Sequence, residues 1–296
     1  MTCRLRDKRI FVTGAATGIG AAIARACVEQ NAAVCLADID LAGAQRLADT
    51  LADAGHEVIA VECDIAERAS VEAAMSEARR ALGPLTTLIN NAGQNVFHEP
   101  LTMPDEAWRQ CMTIDLEGAW HCSRAVLPDF LAQGGGVIVN IASTHAFSII
   151  KGCFPYPVAK HGLIGLTRAL GIEYAAQGVR VNAIAPGYIA TPAVDAHWKR
   201  FDDPAAALAQ VETLLPPGRL GRPEEVAMTA VFLASDEAPS SMPAASPSMV
   251  GAVRSITTDT MRDHEILHLQ MQHGADPWTR PVLLVTHISE IYSGSA

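Results

Sequence analysis

Six short apolar runs set the terms for how this chain can fold. RIFVTG, AAVCLAD, EVIAVECD, LTTLINNAG, GGVIVNIAS and VRVNAIAPG are rich in Val, Ile, Leu and Ala, and each breaks off at Gly, Asp or Ser. Near-continuous apolar strands of this kind belong to sheets buried on both faces. The stretches between them have helical spacing: GIGAAIARACVEQ, LAGAQRLADTLADAG closed by Gly55, ERASVEAAMSEARRALG closed by Gly83, a longer stretch over roughly 104–132, and FPYPVAKHGLIGLTRALGIEYAAQG. Strand and helix in alternation predict an α/β fold: a doubly wound parallel sheet covered by helices on both sides. Right-handed crossovers then put the ligand site at the carboxyl ends of the strands.

With 296 residues, 49% of them hydrophobic, the chain can bury a large core. No apolar run approaches the ~20 residues that cross a bilayer, and the N-terminal apolar run is too short for a secretory signal. The expectation is a cytoplasmic protein with no membrane partner. Its net charge of −10 argues against nucleic acid. The seven cysteines form no C-x-x-C pair and read as reduced and mostly buried, with no metal site.

TGAATGIG, from Thr13 to Gly20, follows the first strand and opens the first helix. Gly14, Gly18 and Gly20 allow a tight turn and close backbone approach, and Thr17 and Ile19 lie at the helix start. A helix N-terminus offers free N–H groups and a positive dipole end to a pyrophosphate. A glycine-rich turn alone is weak evidence, since a plain strand–helix turn looks similar. Asp38, at the end of the second strand, strengthens it: an acid there can accept hydrogen bonds from an adenosine ribose and repels a 2′-phosphate. That predicts NAD rather than NADP. The alternative for Asp38 is a helix N-cap or a solvated turn residue.

Tyr156 and Lys160 are spaced i, i+4 in YPVAK, so on a helix they share a face. Pro155 and Pro157 restrict Tyr156 to a first turn. Ser143 ends the preceding strand at the same edge of the sheet. An ammonium near a phenol favours the phenolate, so Tyr156 is suited to exchange a proton with a substrate oxygen that Ser143 also binds. Singly, each residue reads as a core tyrosine, a surface lysine or a strand-end serine.

Together, TGAATGIG, the CDI at 63–65, NNAG at 90–93, Ser143 with YPVAK, and PGYIATP at 186–192 resemble the short-chain dehydrogenase/reductase family over residues ~5 to 238. The resemblance implies a Rossmann fold over residues 1–239 and an NAD(P)-dependent oxidoreductase. In it Tyr156 is the general acid/base, Lys160 binds the nicotinamide ribose and lowers the Tyr156 pKa, and Ser143 orients the substrate. Asp64 and Ile65 would contact adenine, and Asn91, Ala92 and Gly93 would flank the cofactor. Pro186, Gly187, Ile189 and Thr191 would lie at the nicotinamide and phosphate. Members are usually homotetramers, sometimes dimers. One departure stands out: in TIDLEG, Asp115 occupies the place where the family pattern usually has an Asn that holds a water linking the lysine to solvent. An ionised carboxylate cannot donate a hydrogen bond, which puts that relay in question.

Three loops, 94–101, 144–154 and 188–215, are expected to shape the substrate site, with Gln94, His145 and Trp198 as contacts among apolar residues. The mixture, and the resemblance of 188–220 to sugar dehydrogenases, suit a small sugar or polyol. Reduction of a 3-oxoacyl thioester shares the same core motifs, and a cofactor-binding protein with little turnover is the reading from another class.

After the helical stretch PEEVAMTAVFLASDEA the family has a last strand and a D-G-G turn, whereas this chain continues SSMPAASPSMVGAVRSITTD. Loss of one nucleotide at the codon after Pro239 accounts for the change. Read one base out of register, Ser246 to Gly251 permits I-T-I-D-G-G, and Ile256 to Asp259 permits Y-H-D and a stop. Residues 240–296 are therefore expected to be an atypical, frame-shifted tail lacking the family's last strand. HEILH, His264 to His268, then matches the H-E-x-x-H zinc pattern by chance.

Overall fold

The computed structural model describes residues 3–199, 201–215 and 217–238. The expectations for residues 240–296, namely the frame-shifted tail, the missing last strand and the HEILH match, lie outside the described residues.

The six apolar runs form the six strands: β1 (Arg9–Thr13), β2 (Ala33–Asp38), β3 (Val58–Glu62), β4 (Thr87–Asn90), β5 (Gly136–Ile141) and β6 (Val179–Ile184). All pairings are parallel, in the order β3-β2-β1-β4-β5-β6. The order reverses between β1 and β4, where a doubly wound sheet opens its ligand crevice. The helices are α1 (Gly18–Glu29), α2 (Leu41–Asp53), α3 (Arg68–Leu82), α4 (Asp105–Met112), α5 (Gly118–Gln133), α6 (Tyr156–Tyr174), α7 (Pro192–Trp198), α8 (Pro204–Leu214) and α9 (Pro223–Ala234).

Alternate strand residues divide between two cores, as the period of a strand requires. Ile10, Val12, Val34, Leu36, Val137 and Val139 face α1 and α9 through Ile23, Val28, Val226 and Val231. Phe11, Cys35, Leu88 and Ile138 face α3 and α5 through Val71, Met75, Val126 and Phe130. Cys27, Cys35, Cys63, Cys111, Cys122 and Cys153 are buried thiols. Among the described residues no helix is long and apolar enough to cross a membrane.

The helical stretch expected over 104–132 is divided. Between α4 and α5 the backbone widens into a π-helical segment, Thr113–Glu117. Gly118, at its exit, lets the helix close on the sheet side: a Cβ there would stand 2.7 Å from Cδ1 of Ile65. The segment after β6 is likewise two helices, α7 and α8, with a break after Trp198.

A chain of buried polar side chains fastens α5 and α6 to the middle of the sheet. Asn90 Nδ2 donates to Asn140 Oδ1 at 2.8 Å, and Asn140 Nδ2 donates to Thr167 Oγ1 at 2.8 Å. The Thr167 and Ser123 hydroxyls donate to the Leu163 and Ala119 carbonyls of their own helices. Asn140 has no exposed surface, so its partners have no water to turn to. Asn140→Ala is expected to cost about 2–4 kcal/mol, from weakened hydrogen bonds plus the cavity. Denaturant unfolding of the two proteins checks this.

Candidate active site

The carboxyl ends of β1 to β6 and the first turns of α6 carry the expected site residues. Gly14 adopts φ +63, and a Cβ on it would lie 2.8 Å from the Cα of Ala92. A Cβ on Gly20 would collide with the Gly14 carbonyl oxygen. The loop can therefore take this shape only with glycine at both positions. Thr17 caps α1 without using its side chain, and the first turn holds no acidic residue, so the N–H groups of that turn keep their affinity for an anion. Thr191 comes to the same place: its Cγ2 would be 3.5 Å from a Cβ on Gly18, and its hydroxyl accepts from the Val194 N–H to cap α7.

Asp38 does not cap a helix. Its Oδ2 accepts from the Ala16 N–H at 2.8 Å and its Oδ1 from the Asp40 N–H at 2.9 Å, while Asp40 caps α2. The carboxylate thus holds the glycine loop, and each oxygen can still accept a second hydrogen bond. Asn91 is also a structural tie. Its Nδ2 donates to the carbonyls of Thr13 and Gly14 at 2.9 and 3.0 Å, and the Thr13 hydroxyl accepts the Asn91 and Ala92 N–H groups, each at 3.0 Å. Asp64 Oδ1 accepts from the Ala66 N–H, and the buried Ile65 side chain belongs to the core under α5. Pro186 binds the Thr144 N–H through its carbonyl, Gly187 follows it, and Ile189 is buried and paired with Gly221.

Ser143, Tyr156 and Lys160 converge. Ser143 faces the Tyr156 phenol closely enough to pull its pKa down, and the Lys160 ammonium lies 5.3 Å from the centre of the Tyr156 ring. Tyr156 starts α6, as the flanking prolines require, so one helical turn brings Lys160 to the same side. Lys160 Nζ also meets Asp115 Oδ1 at 3.2 Å and the Ile141 carbonyl at 3.4 Å. Asp115 comes from the π-helical segment, with a side chain that has no exposed surface, and its Oδ1 also accepts from the Gln94 N–H at 3.2 Å.

This ion pair changes the electrostatics expected of the site. Burial pushes the Tyr156 phenol above its ordinary value; Lys160 and Ser143 oppose the shift and Asp115 adds to it. The net direction is upward, not the lowering expected from lysine alone. Burial works against the charge on Lys160, but Tyr156 and Asp115 outweigh it and hold the ammonium above its usual value. Burial likewise raises the Asp115 carboxyl, with Lys160 and the Gln94 N–H pulling the other way.

Of the expected substrate residues, Gln94 and His145 border this cluster. The His145 ring stands edge-on to Tyr156 with centroids 5.9 Å apart. Burial lowers its pKa, and the Ser148 backbone opposes this in part. His145 Nδ1 and Gln94 Nε2 are buried without hydrogen-bond partners. Trp198 sits elsewhere, in a separate apolar cluster with Val211, Leu215 and Leu220, stacked near Tyr188 and Phe201. No group of three or more His, Cys, Asp or Glu among the described residues is placed to hold a metal ion.

Residues 14–242 match the family model described as enoyl-(acyl carrier protein) reductase. The cis-4-hydroxycyclohexanecarboxylate dehydrogenase of Sinomonas cyclohexanicum is 43% identical over 78% of this chain and 91% of its own length. A cyclohexanol dehydrogenase of Acinetobacter is 36% identical over 80% and 92%. Among solved structures, a Beutenbergia cavernae protein described as an NAD(P)-dependent gluconate 5-dehydrogenase, with NADP at low occupancy, is 36% identical with a TM-score of 0.75, over 82% of this chain and 95% of its own.

Removing Lys160 strands the Asp115 carboxyl. Lys160→Met is expected to destabilise the fold by about 3–5 kcal/mol at neutral pH. A buried acid without its cation has a folded-state pKa above its unfolded one, so it binds a proton more readily when folded. The deficit should shrink as pH falls through that raised value and be largest above it. Urea unfolding across a pH series reads both effects.

Proposed function

The chain belongs to the short-chain dehydrogenase/reductase family, and on that premise we propose that it interconverts a secondary alcohol and a ketone with NAD, on a small polar substrate. The observation that carries this reading is the convergence of Ser143, Tyr156 and Lys160 in one cluster beside the glycine loop.

Gly14, Gly18, Ile19 and Gly20, with the first turn of α1, fit a pyrophosphate. Thr13 and Asn91 shape that loop, while Ala92, Gly93, Pro186, Gly187, Ile189 and Thr191 border the path towards Tyr156. Asp64 and Ile65 close the adenine end. The cofactor, when bound, takes or returns the hydride. Tyr156 exchanges the proton of the substrate hydroxyl, Ser143 holds the same oxygen, and Lys160 keeps a positive charge beside the phenol and reaches towards the ribose. Asp38 supports NAD, because its carboxylate opposes a 2′-phosphate.

For the substrate, the unpartnered His145 Nδ1 and Gln94 Nε2 favour a molecule with polar groups beyond the reacting hydroxyl. A buried polar atom left unpaired costs roughly 1–3 kcal/mol, which such groups offset. A hydroxylated ring carrying a carboxylate, or a sugar acid, has them, and the relatives named for such compounds support that class. The second reading is reduction of a 3-oxoacyl thioester; the family model's description, an enoyl thioester reductase, supports the thioester class but not the ketone. A cytoplasmic homo-oligomer completes the proposal. Assays with NAD and hydroxycyclohexanecarboxylates, gluconate and a 3-oxoacyl thioester separate the readings; dinucleotide binding with no turnover on any of them points to a binding protein instead.

Tyr156→Phe should reduce turnover at least about a hundredfold, the typical contribution of a positioned acid/base. Dinucleotide affinity, measured by NADH fluorescence, should stay nearly constant. Asp38→Ala should bring the kcat/KM values for NAD and NADP closer together, as the repulsion of the 2′-phosphate is removed; an unchanged ratio would count against the ribose role.

A further inference from the structure

The ammonium that faces Tyr156 is itself faced by a carboxylate. Asp115 Oδ1 lies 3.2 Å from Lys160 Nζ, and the two side chains are 0% and 5% exposed. The pair is built in from several sides. The Gln94 N–H donates to the same carboxylate oxygen at 3.2 Å. Cys111, one turn earlier on α4, brings its Sγ to 4.0 Å from Oδ2. Gly93 leaves the space: a Cβ there would stand 2.7 Å from Asp115 Oδ1 and 3.3 Å from Lys160 Nζ. Two opposite charges this close and this buried ionise together, because either one left alone carries a desolvation cost of several kcal/mol.

An isolated ammonium favours a nearby phenolate. An ammonium paired with a carboxylate is a dipole, and its pull on a phenol falls off faster with distance. The other groups around Tyr156 do not replace the lost positive charge. Ser143 is neutral, Cys111 stays a thiol because burial pushes it up to about 12, and burial holds His145 towards its neutral form.

We infer that Asp115 sets the pH range of the reaction: by countering Lys160 it makes Tyr156 release its proton at a higher pH than a neutral side chain at position 115 would. The inference rests on the reading of Tyr156 as the proton-exchanging group. Asp115 acts through Lys160 and is a positioning residue. Its effect favours the protonated phenol, the form that donates a proton to a carbonyl.

The test uses two readouts on the full chain. The chain has four tyrosines, so subtracting the phenolate absorbance titration of Tyr156→Phe isolates the Tyr156 signal without any substrate. The second readout is the pH dependence of kcat/KM for alcohol oxidation. Asp115→Asn is expected to lower both midpoints by roughly one pH unit, with Asp115→Glu staying near the parent. Asp115→Ser is a second neutral variant, should the asparagine not fold. An unmoved or raised phenolate midpoint in the folded neutral variants overturns the inference. A lowered phenolate midpoint with a rate profile that fails to follow keeps the effect of Asp115 on the phenol, but it overturns Asp115 as the residue that sets the pH range and removes Tyr156 from the chemistry.

Discussion

The Thr13 hydroxyl accepts two backbone N–H groups from the end of β4, and the Asn91 amide returns two hydrogen bonds to the end of β1. These four bonds cross the point where the strand order reverses. Two parallel strands that run side by side diverge there, as their chains leave for opposite faces of the sheet. Without the clamp the glycine loop would have carbonyls facing a widening gap. With it, Gly14 is drawn so close to Ala92 that no side chain fits, and α1 begins at a fixed distance from β4. The position of the glycine loop follows from this closure, and the Asp38 carboxylate fastens the loop from the other side.

A second layer of polar bonds holds the chemistry to that frame. Asn90 and Asn140 are neighbours across β4 and β5, and through Ser123 and Thr167 they reach α5, which follows the turn holding Asp115, and α6, which carries Tyr156 and Lys160. An apolar core at this place would pack as well but would define the helix positions less sharply, since apolar contacts have no preferred direction. The cluster has more than one charge to place, and small displacements there change electrostatic energies steeply.

The strands and the glycine loop were legible in the sequence because they are local: a run of Val and Ile, or glycines ahead of a helix, carries its meaning within a few residues. The Tyr156–Lys160 spacing was readable for the same reason, and so was the placement of Tyr156 by its flanking prolines. Contacts between distant segments were not. Asp115 and Lys160 stand forty-five positions apart, and nothing in TIDLEG signals a lysine partner. Asp115 therefore read as a broken relay and not as half of an ion pair, and the phenol was expected to shift down. Asn91 reads as a neighbour of the cofactor, and its sequence gives no sign of the second task the fold assigns it, tying the end of β1. Trp198 reads as a substrate contact from its place in the 188–215 loop; in the fold it packs in the cluster shared by α7 and α8. The Asn140 network left no mark on the sequence beyond an asparagine in each of two apolar strands, Asn90 and Asn140.

The π-helical turn at Thr113–Glu117 holds one residue more than an α-helical turn would. α4 and α5 each keep regular geometry on either side of it, so the extra residue is absorbed entirely within that turn. Each residue of an α-helix advances the face by about 100°. A chain shortened by a single position here would run as one regular helix, and either Cys111 or Ser123 would rotate away from the surface it now meets. The carboxylate facing Lys160 thus depends on the length of this turn as much as on which residue fills position 115.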